Sequence, residues 1–321
     1  MRAITNRDRT FRPVEHEPPN GTLERSGGLF RMDIEFIRRK TNGITLYCAE
    51  LGPVHGPLVF LLHGFPEYWY GWRHHIGALA RAGFRVVAPD QRGYDESDKP
   101  KGVDAYDLDV LAADIAGLAD ALGRDRFAVV GHDWGGSVGW WAARNYPKRV
   151  SQLAVLNAPH PAVWKYAMRH VPAQKRLSGY VGMMAMPAIP EFLVRTRNFN
   201  ALVKALRTAR RKDAFSKVDI EQYRQAWKKP GAVSAMLNYY RALLRKDMPL
   251  AEEKRVTAPV RIIWGVDDAY GIPELANESA KLCDDAKIVF IESATHWVAH
   301  DEPERVERAL LEFLNPGNAA R

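Results

Sequence analysis

Cysteine is nearly absent: Cys48 and Cys283 are the two in 321 residues, far apart and outside any C-x-x-C spacing. Such a pair makes neither a disulfide framework nor, by itself, a zinc site. Long hydrophobic runs are missing as well, since no stretch approaches the ~18–20 uninterrupted apolar residues that a membrane helix needs. An apolar segment is also lacking at the start, Met1-Arg2-Ala3-Ile4-Thr5-Asn6-Arg7, which does not read as a secretory signal peptide. These absences predict a soluble protein in a reducing, cytoplasmic setting. With 46% apolar and 26% charged residues the composition is near the globular average, which excludes disordered, collagen-like and fibrous chains. At about 150 residues per domain, the length suits two units or one large domain with an insertion.

What is present in excess is positive charge, +8 overall. A surplus of that size raises nucleic acid or anionic membranes as partners. Its placement weakens the idea: residues 161–260 hold 20 Lys+Arg against 7 Asp+Glu, so the rest of the chain is net negative. A run such as Arg207-Thr208-Ala209-Arg210-Arg211-Lys212 is ordinarily the solvated face of a helix. No zinc-finger spacing, RNP-like motif or heptad accompanies it.

Residues 1–30 are rich in Arg, Pro, Glu and Gly and read as an extension. Short apolar runs typical of strands follow at 44–49, 58–62, 85–88, 127–130 and 153–157, separated by helix-like stretches at 72–82, 110–122 and 137–145. The alternation resumes with strands at 260–264 and 287–291 and helices at 273–282 and 302–314. Strands alternating with helices predict an α/β architecture, a mostly parallel sheet flanked by helices. The stretch 161–255 has helical periodicity and no convincing strand, so it is expected as a helical lid inserted between two parts of one core, 31–160 and 256–321.

Four segments carry chemistry. Gly131-His132-Asp133-Trp134-Gly135-Gly136 follows a predicted strand and opens a predicted helix. It matches the nucleophile elbow of α/β-hydrolases, in which small flanking residues permit a sharp strand-to-helix turn, although a G-x-D-x-G turn also serves as an ordinary helix cap. The residue at the bend is Asp133 where serine is common. His63-Gly64-Phe65-Pro66 stands where that fold supplies one backbone N–H for a developing oxyanion, so Phe65 and Trp134 are the expected donors and His63 a loop anchor. His296, in Ala294-Thr295-His296-Trp297, lies between the last strand and last helix, as expected of the base. His300 competes with it but falls near the start of that helix. Trp264-Gly265-Val266-Asp267-Asp268 offers the acid that would orient the histidine, as Asp267 or Asp268.

Together with Asp90-Gln91-Arg92-Gly93-Tyr94, these motifs make the chain resemble an epoxide hydrolase of the α/β-hydrolase fold, of the aspartate-nucleophile branch, from about residue 32 to 314. The resemblance, and the loop length, favour Asp268 as the acid. It also implies two lid tyrosines that protonate the opening ring. Asn238-Tyr239-Tyr240-Arg241 resembles the segment bearing one, which is Tyr240, and Ser178-Gly179-Tyr180 the segment bearing the other, Tyr180. Met183, Met184 and Met186 depart from the family, where aromatic residues or Gln are common.

The resemblance implies hydrolysis of a small lipophilic epoxide by water, with no metal or organic cofactor and no nucleic acid or membrane span, and is compatible with a homodimer. His74-His75 do not alter this, because neighbours on a helix point apart and no carboxylate completes a ligand set. The alternative is a dehalogenase on the same aspartate. A haloalkane enzyme would use the Trp134 indole for halide but leaves the tyrosine pair unexplained and usually carries Asn where Phe65 stands. A haloacetate enzyme needs cations where Trp134, Asp95 and Glu96 stand. A binding protein on a hydrolase scaffold is a third reading, against which all three triad members speak.

Overall fold

The structure, a computed structural model, describes residues 33–315, so the expected extension over residues 1–30 lies outside the described residues. Eight strands form one sheet: β1 (Glu35–Thr41), β2 (Ile44–Leu51), β3 (Leu58–Leu62), β4 (Arg85–Pro89), β5 (Phe127–His132), β6 (Val150–Leu156), β7 (Val260–Gly265) and β8 (Ala286–Ile291). Their spatial order is β1-β2-β4-β3-β5-β6-β7-β8. β2 pairs antiparallel with β1 and β4, and all other neighbours are parallel. Every residue of β3 and of β5 is buried, which is why both read as unbroken apolar runs.

Helices α1 (Ile76–Arg81), α2 (Leu108–Ala121) and α3 (Trp134–Asn145) alternate with the early strands. Between β6 and β7 come α4 (Pro161–His170), α5 (Pro172–Leu177), α6 (Gly179–Met184), α7 (Ile189–Leu206), α8 (Lys217–Lys228) and α9 (Ala232–Arg245). Then α10 (Glu274–Ala280), α11 (Val298–Asp301) and α12 (Pro303–Leu314) complete the elements of the described residues. α12 turns Val306, Ala309, Leu310 and Phe313 inward, one apolar stripe at helical spacing.

The inserted helices are fastened to loops at the C-terminal ends of the parallel strands. Trp227 Nε1 donates to the Pro66 carbonyl (2.6 Å), the Tyr239 hydroxyl to the Arg92 carbonyl (2.7 Å) and the Tyr70 hydroxyl to Asp219 (2.8 Å). Arg92 is itself locked by two 2.7 Å bonds to Asp114, which gives the Asp90–Tyr94 motif a structural task.

One expectation is corrected, and one strand stands where none was expected. The helix expected over 72–82 is a 3₁₀ turn, Trp69–Trp72, followed by α1 from Ile76. β1 escapes the sequence reading altogether, because an edge strand faces water and Glu-Phe-Ile-Arg-Arg-Lys-Thr is too charged to look like core. The signal that marks it is Asn42-Gly43, both at positive φ (43° and 75°), a two-residue hairpin turn.

Candidate active site

The chain reverses sharply at Asp133, whose φ of 51° and ψ of −118° are rare for a residue with a side chain. Such a conformation costs on the order of 1–3 kcal/mol and persists only where the surroundings fix it. Here the Asp133 amide donates to the Leu156 carbonyl (3.2 Å), and its carbonyl accepts from Ser137 N (3.0 Å). Neighbouring glycines let the backbones close in. A Cβ at Gly135 would lie 2.0 Å from the Leu62 carbonyl oxygen, and one at Gly64 would lie 2.4 Å from Asp133 Cβ. Gly135→Ala should therefore cost about 3 kcal/mol, the upper end for overpacking. Gly83→Ala, with open space but a φ of +93°, should cost about 1–2 kcal/mol from left-handed backbone alone. Urea unfolding of the two variants side by side checks the ranking.

Phe65 N donates to Asp133 Oδ1 at 2.7 Å. Trp134 opens α3, so its amide is one of the helix-terminal N–H groups without an intrahelical acceptor. Oδ2 is turned instead toward His296, whose Nε2 lies 3.7 Å away. On the far side of the imidazole, Nδ1 meets Asp268 Oδ2 at 3.0 Å. Asp268 is held by Asn157 Nδ2 at 2.7 Å and by the Tyr270 amide at 2.7 Å. Burial disfavours a charged imidazole, but Asp268, through charge and hydrogen bond, and Asp133 overcome it and push His296 up to about 9. Asp267, next in sequence, is half-exposed and paired with Arg210 at the surface.

Both expected tyrosines face this group. Tyr240 is buried, its ring edge-on to Phe65 and Trp134 with centroids 5.4 and 5.1 Å apart, and 6.2 Å from the ring of Tyr180. Burial and the Asp133 charge push both phenols well above 10, so they keep their protons. Asp133, Tyr180, Tyr240, Tyr270 and His296 line two adjoining cavities. One runs past Trp164, Trp264 and Leu275, the other past Met184, Leu202 and Ala205.

The model of the alpha/beta hydrolase fold family matches residues 57–303. This chain belongs to the α/β-hydrolases. AB hydrolase superfamily protein YfhM of Bacillus subtilis (strain 168) is 43% identical to it over 85% of this chain and 96% of that protein. Epoxide hydrolase 4 of Mus musculus is 36% identical over 87% and 79%. Among solved structures, the Bacillus megaterium epoxide hydrolase in complex with an inhibitor superposes with a TM-score of 0.79. It is 32% identical, covering 88% of this chain and all of the other.

Sequence reasoning passed over several residues of this hydrolase site. Tyr270 lines both cavities, its ring centroid 4.8 Å from that of His296. Asn157, at a positive φ of 44°, bridges Asp268 and Gly265. Beneath the imidazole, His132 Nε2 donates to the His296 carbonyl (2.9 Å) while its Nδ1 faces Glu67 Oε2 at 3.4 Å. Glu67 also accepts from the Tyr223 hydroxyl (2.6 Å) and from His300 Nε2 (2.9 Å). Burial alone would raise the Glu67 carboxyl, yet His300 and His132 hold it well below its ordinary value. His300, expected at the start of the last helix, thus sits in the short α11 and turns away from Asp133. His63 accepts from Gln91 N (3.0 Å) through Nε2, and burial lowers it to about 4, so it is a neutral loop anchor. Among the described residues no group of three or more His, Cys, Asp or Glu could hold a metal, and no helix is long and apolar enough to cross a membrane.

Proposed function

We propose that the protein hydrolyses an epoxide to a vicinal diol through an ester on Asp133. The observation that carries this reading is the unequal treatment of the two carboxylate oxygens. Oδ1 is bound by the Phe65 amide, whereas Oδ2 is directed at His296 and the cavity. Oδ2 attacks a ring carbon, the carbon–oxygen bond of the ring breaks, and Tyr180 and Tyr240 supply the proton that the departing alkoxide needs. A carboxylate suits this displacement at saturated carbon, since its ester can be opened again.

His296 then takes a proton from water, whose oxygen adds to Asp133 Cγ. Charge grows on Oδ1, where the Phe65 amide already lies and the Trp134 amide is the second donor. Collapse breaks the Cγ–Oδ2 bond while His296 returns its proton to Oδ2, so the diol leaves with Oδ2; Asp133 keeps the water oxygen, and the proton left on its carboxyl restores the tyrosine that was deprotonated in ring opening. A single turnover in heavy-oxygen water should place the label on Asp133 and leave the diol unlabelled; label confined to the diol defeats the covalent route. The six helices between β6 and β7 act here as the lid that brings the tyrosines over the nucleophile and keeps bulk water out.

The lipophilic walls suit an uncharged epoxide, and the epoxide hydrolases among the relatives support that substrate class. Tyr180→Phe and Tyr240→Phe should each lower kcat/KM by about 10–100-fold, and the double variant by about 10³-fold or more, within the range for general acids. Diol formation by the double variant at an unchanged rate would remove both tyrosines from the mechanism, and halide release from a haloalkane at a faster rate would point to a dehalogenase.

A further inference from the structure

Charge and apolar surface coincide on one stretch of the inserted helices. Nine large apolar side chains are exposed among the described residues, and five of them fall between 183 and 193: Met183, Met186, Ile189, Phe192 and Leu193. Scattered exposed apolar residues are ordinary, whereas a cluster this dense marks a contact surface. Phe192, 71% exposed, is the most open of the nine. The same stretch is cationic. Residues 171–208 contain six Lys or Arg and one acid, Glu191. Lys175, Arg176, Arg195, Arg197, Lys204 and Arg207 are all exposed and have no ion-pair partner among the described residues. Glu191 is occupied by Arg241 at 2.8 Å.

The backbone sets this surface apart. Ala188 has a φ of 63°, and Arg197, Asn198 and Phe199 follow one another at 49°, 54° and 61°, so breaks stand on both sides of the helical piece 189–195. Pro190 and Val194 are buried beneath it while Ile189, Phe192 and Leu193 face out. Met184 and Ala201, flanking the piece, line the cavity that also holds Leu202 and Ala205. Ala201, a lining residue of that cavity, is itself exposed.

We propose that residues 183–193 form a docking surface for an anionic lipid bilayer, the apolar side chains entering the headgroup boundary and the six cations meeting lipid phosphates. A second copy of the chain would bring the same unpaired cations face to face. A nucleic acid would engage the cations but leave Phe192 and Leu193 in water. The docking stands independently of the epoxide reading; only the corollary, that a lipophilic substrate passes from the bilayer into the Met184–Leu202 cavity, rests on it.

Flotation of the full chain with vesicles of phosphatidylcholine and phosphatidylglycerol in a three-to-one ratio tests this. The protein should float with these vesicles and about tenfold less with pure phosphatidylcholine or at high salt. Phe192→Ser/Leu193→Ser should lower flotation by about tenfold or more and leave hydrolysis of a water-soluble epoxide unchanged, since neither residue lines either of the two cavities at Asp133. Three results overturn the proposal. They are no flotation of the unaltered chain, equal flotation of the serine variant, and a dimer in light scattering that the serine substitutions dissolve. Salt-sensitive binding to duplex DNA without flotation would assign the charge to nucleic acid. An inactive but floating protein would sink the epoxide reading and leave the docking intact.

Discussion

Asp133→Asn should lower diol formation by on the order of 10⁴-fold or more, the scale on which removing a nucleophile collapses a catalytic unit. The substitution is nearly isosteric, and the amide oxygen can still accept from Phe65 N, now 2.7 Å from Oδ1. Unfolding by heat should therefore change little, separating lost chemistry from lost structure. The proposed machinery for opening the ester is also placed to attack this amide. A slow return of activity in the asparagine variant, absent in Asp133→Ala, is the expected signature, followed by intact mass. Full initial activity in either variant would mean that another group attacks the epoxide.

His296→Gln should stop the cycle one step later. In the proposed cycle ring opening needs Asp133 and the tyrosines, so the variant should accumulate the ester at one equivalent per chain, seen as an intact mass raised by that of the epoxide. Steady turnover should fall by about 10³-fold or more, within the general-base range. The pH dependence follows from charge. In the resting enzyme Asp268 and Asp133 hold His296 at about 9, so it begins the cycle protonated. In the proposed cycle, esterification removes the Asp133 charge and one support of the imidazolium, which then loses its proton to solvent and leaves the neutral imidazole to act as base. The single-turnover rate of ester hydrolysis should rise with pH to an inflection below 9; an inflection at 9 or above contradicts this coupling. Stability moves with the same group. Its folded value lies above the ordinary 6.5, so about 3 kcal/mol is fully present below pH 6.5 and is lost as the pH rises through about 9. Urea unfolding of the unaltered chain, compared with His296→Gln at both ends of that window, reads it.

The parts of this arrangement that were legible in the sequence are those whose geometry is local. The elbow declares itself through Gly131 and Gly135, because a larger side chain at either would crowd neighbouring backbone at the strand-to-helix turn, and β3 and β5 through apolar runs that burial on both faces demands. Long-range placement is harder to read. Glu67, His132, Tyr223 and His300 are spread over a loop and three separate elements, and nothing in the spacing of the four says that one carboxylate gathers the other three. Asp267 and Asp268 are equivalent in sequence and differ only because successive residues of a loop face opposite ways, one to Arg210 and water, the other to Asn157 and His296. Tyr270 was hidden for a related reason: an aromatic in a loop carries no periodicity. β1 was lost to its own charge, although its turn was spelled out by Asn42-Gly43.

The two cavities that meet at Asp133 are walled differently, Trp164, Trp264 and Leu275 lining one alone and Met184, Leu202 and Trp297 the other alone. An epoxide with unlike substituents has two ways of lying across them, and each presents a different ring carbon to Oδ2. Attack inverts the configuration at whichever carbon it strikes. In the proposed reaction, the handedness of the diol is therefore decided by which substituent each cavity holds better, well away from the atoms that react.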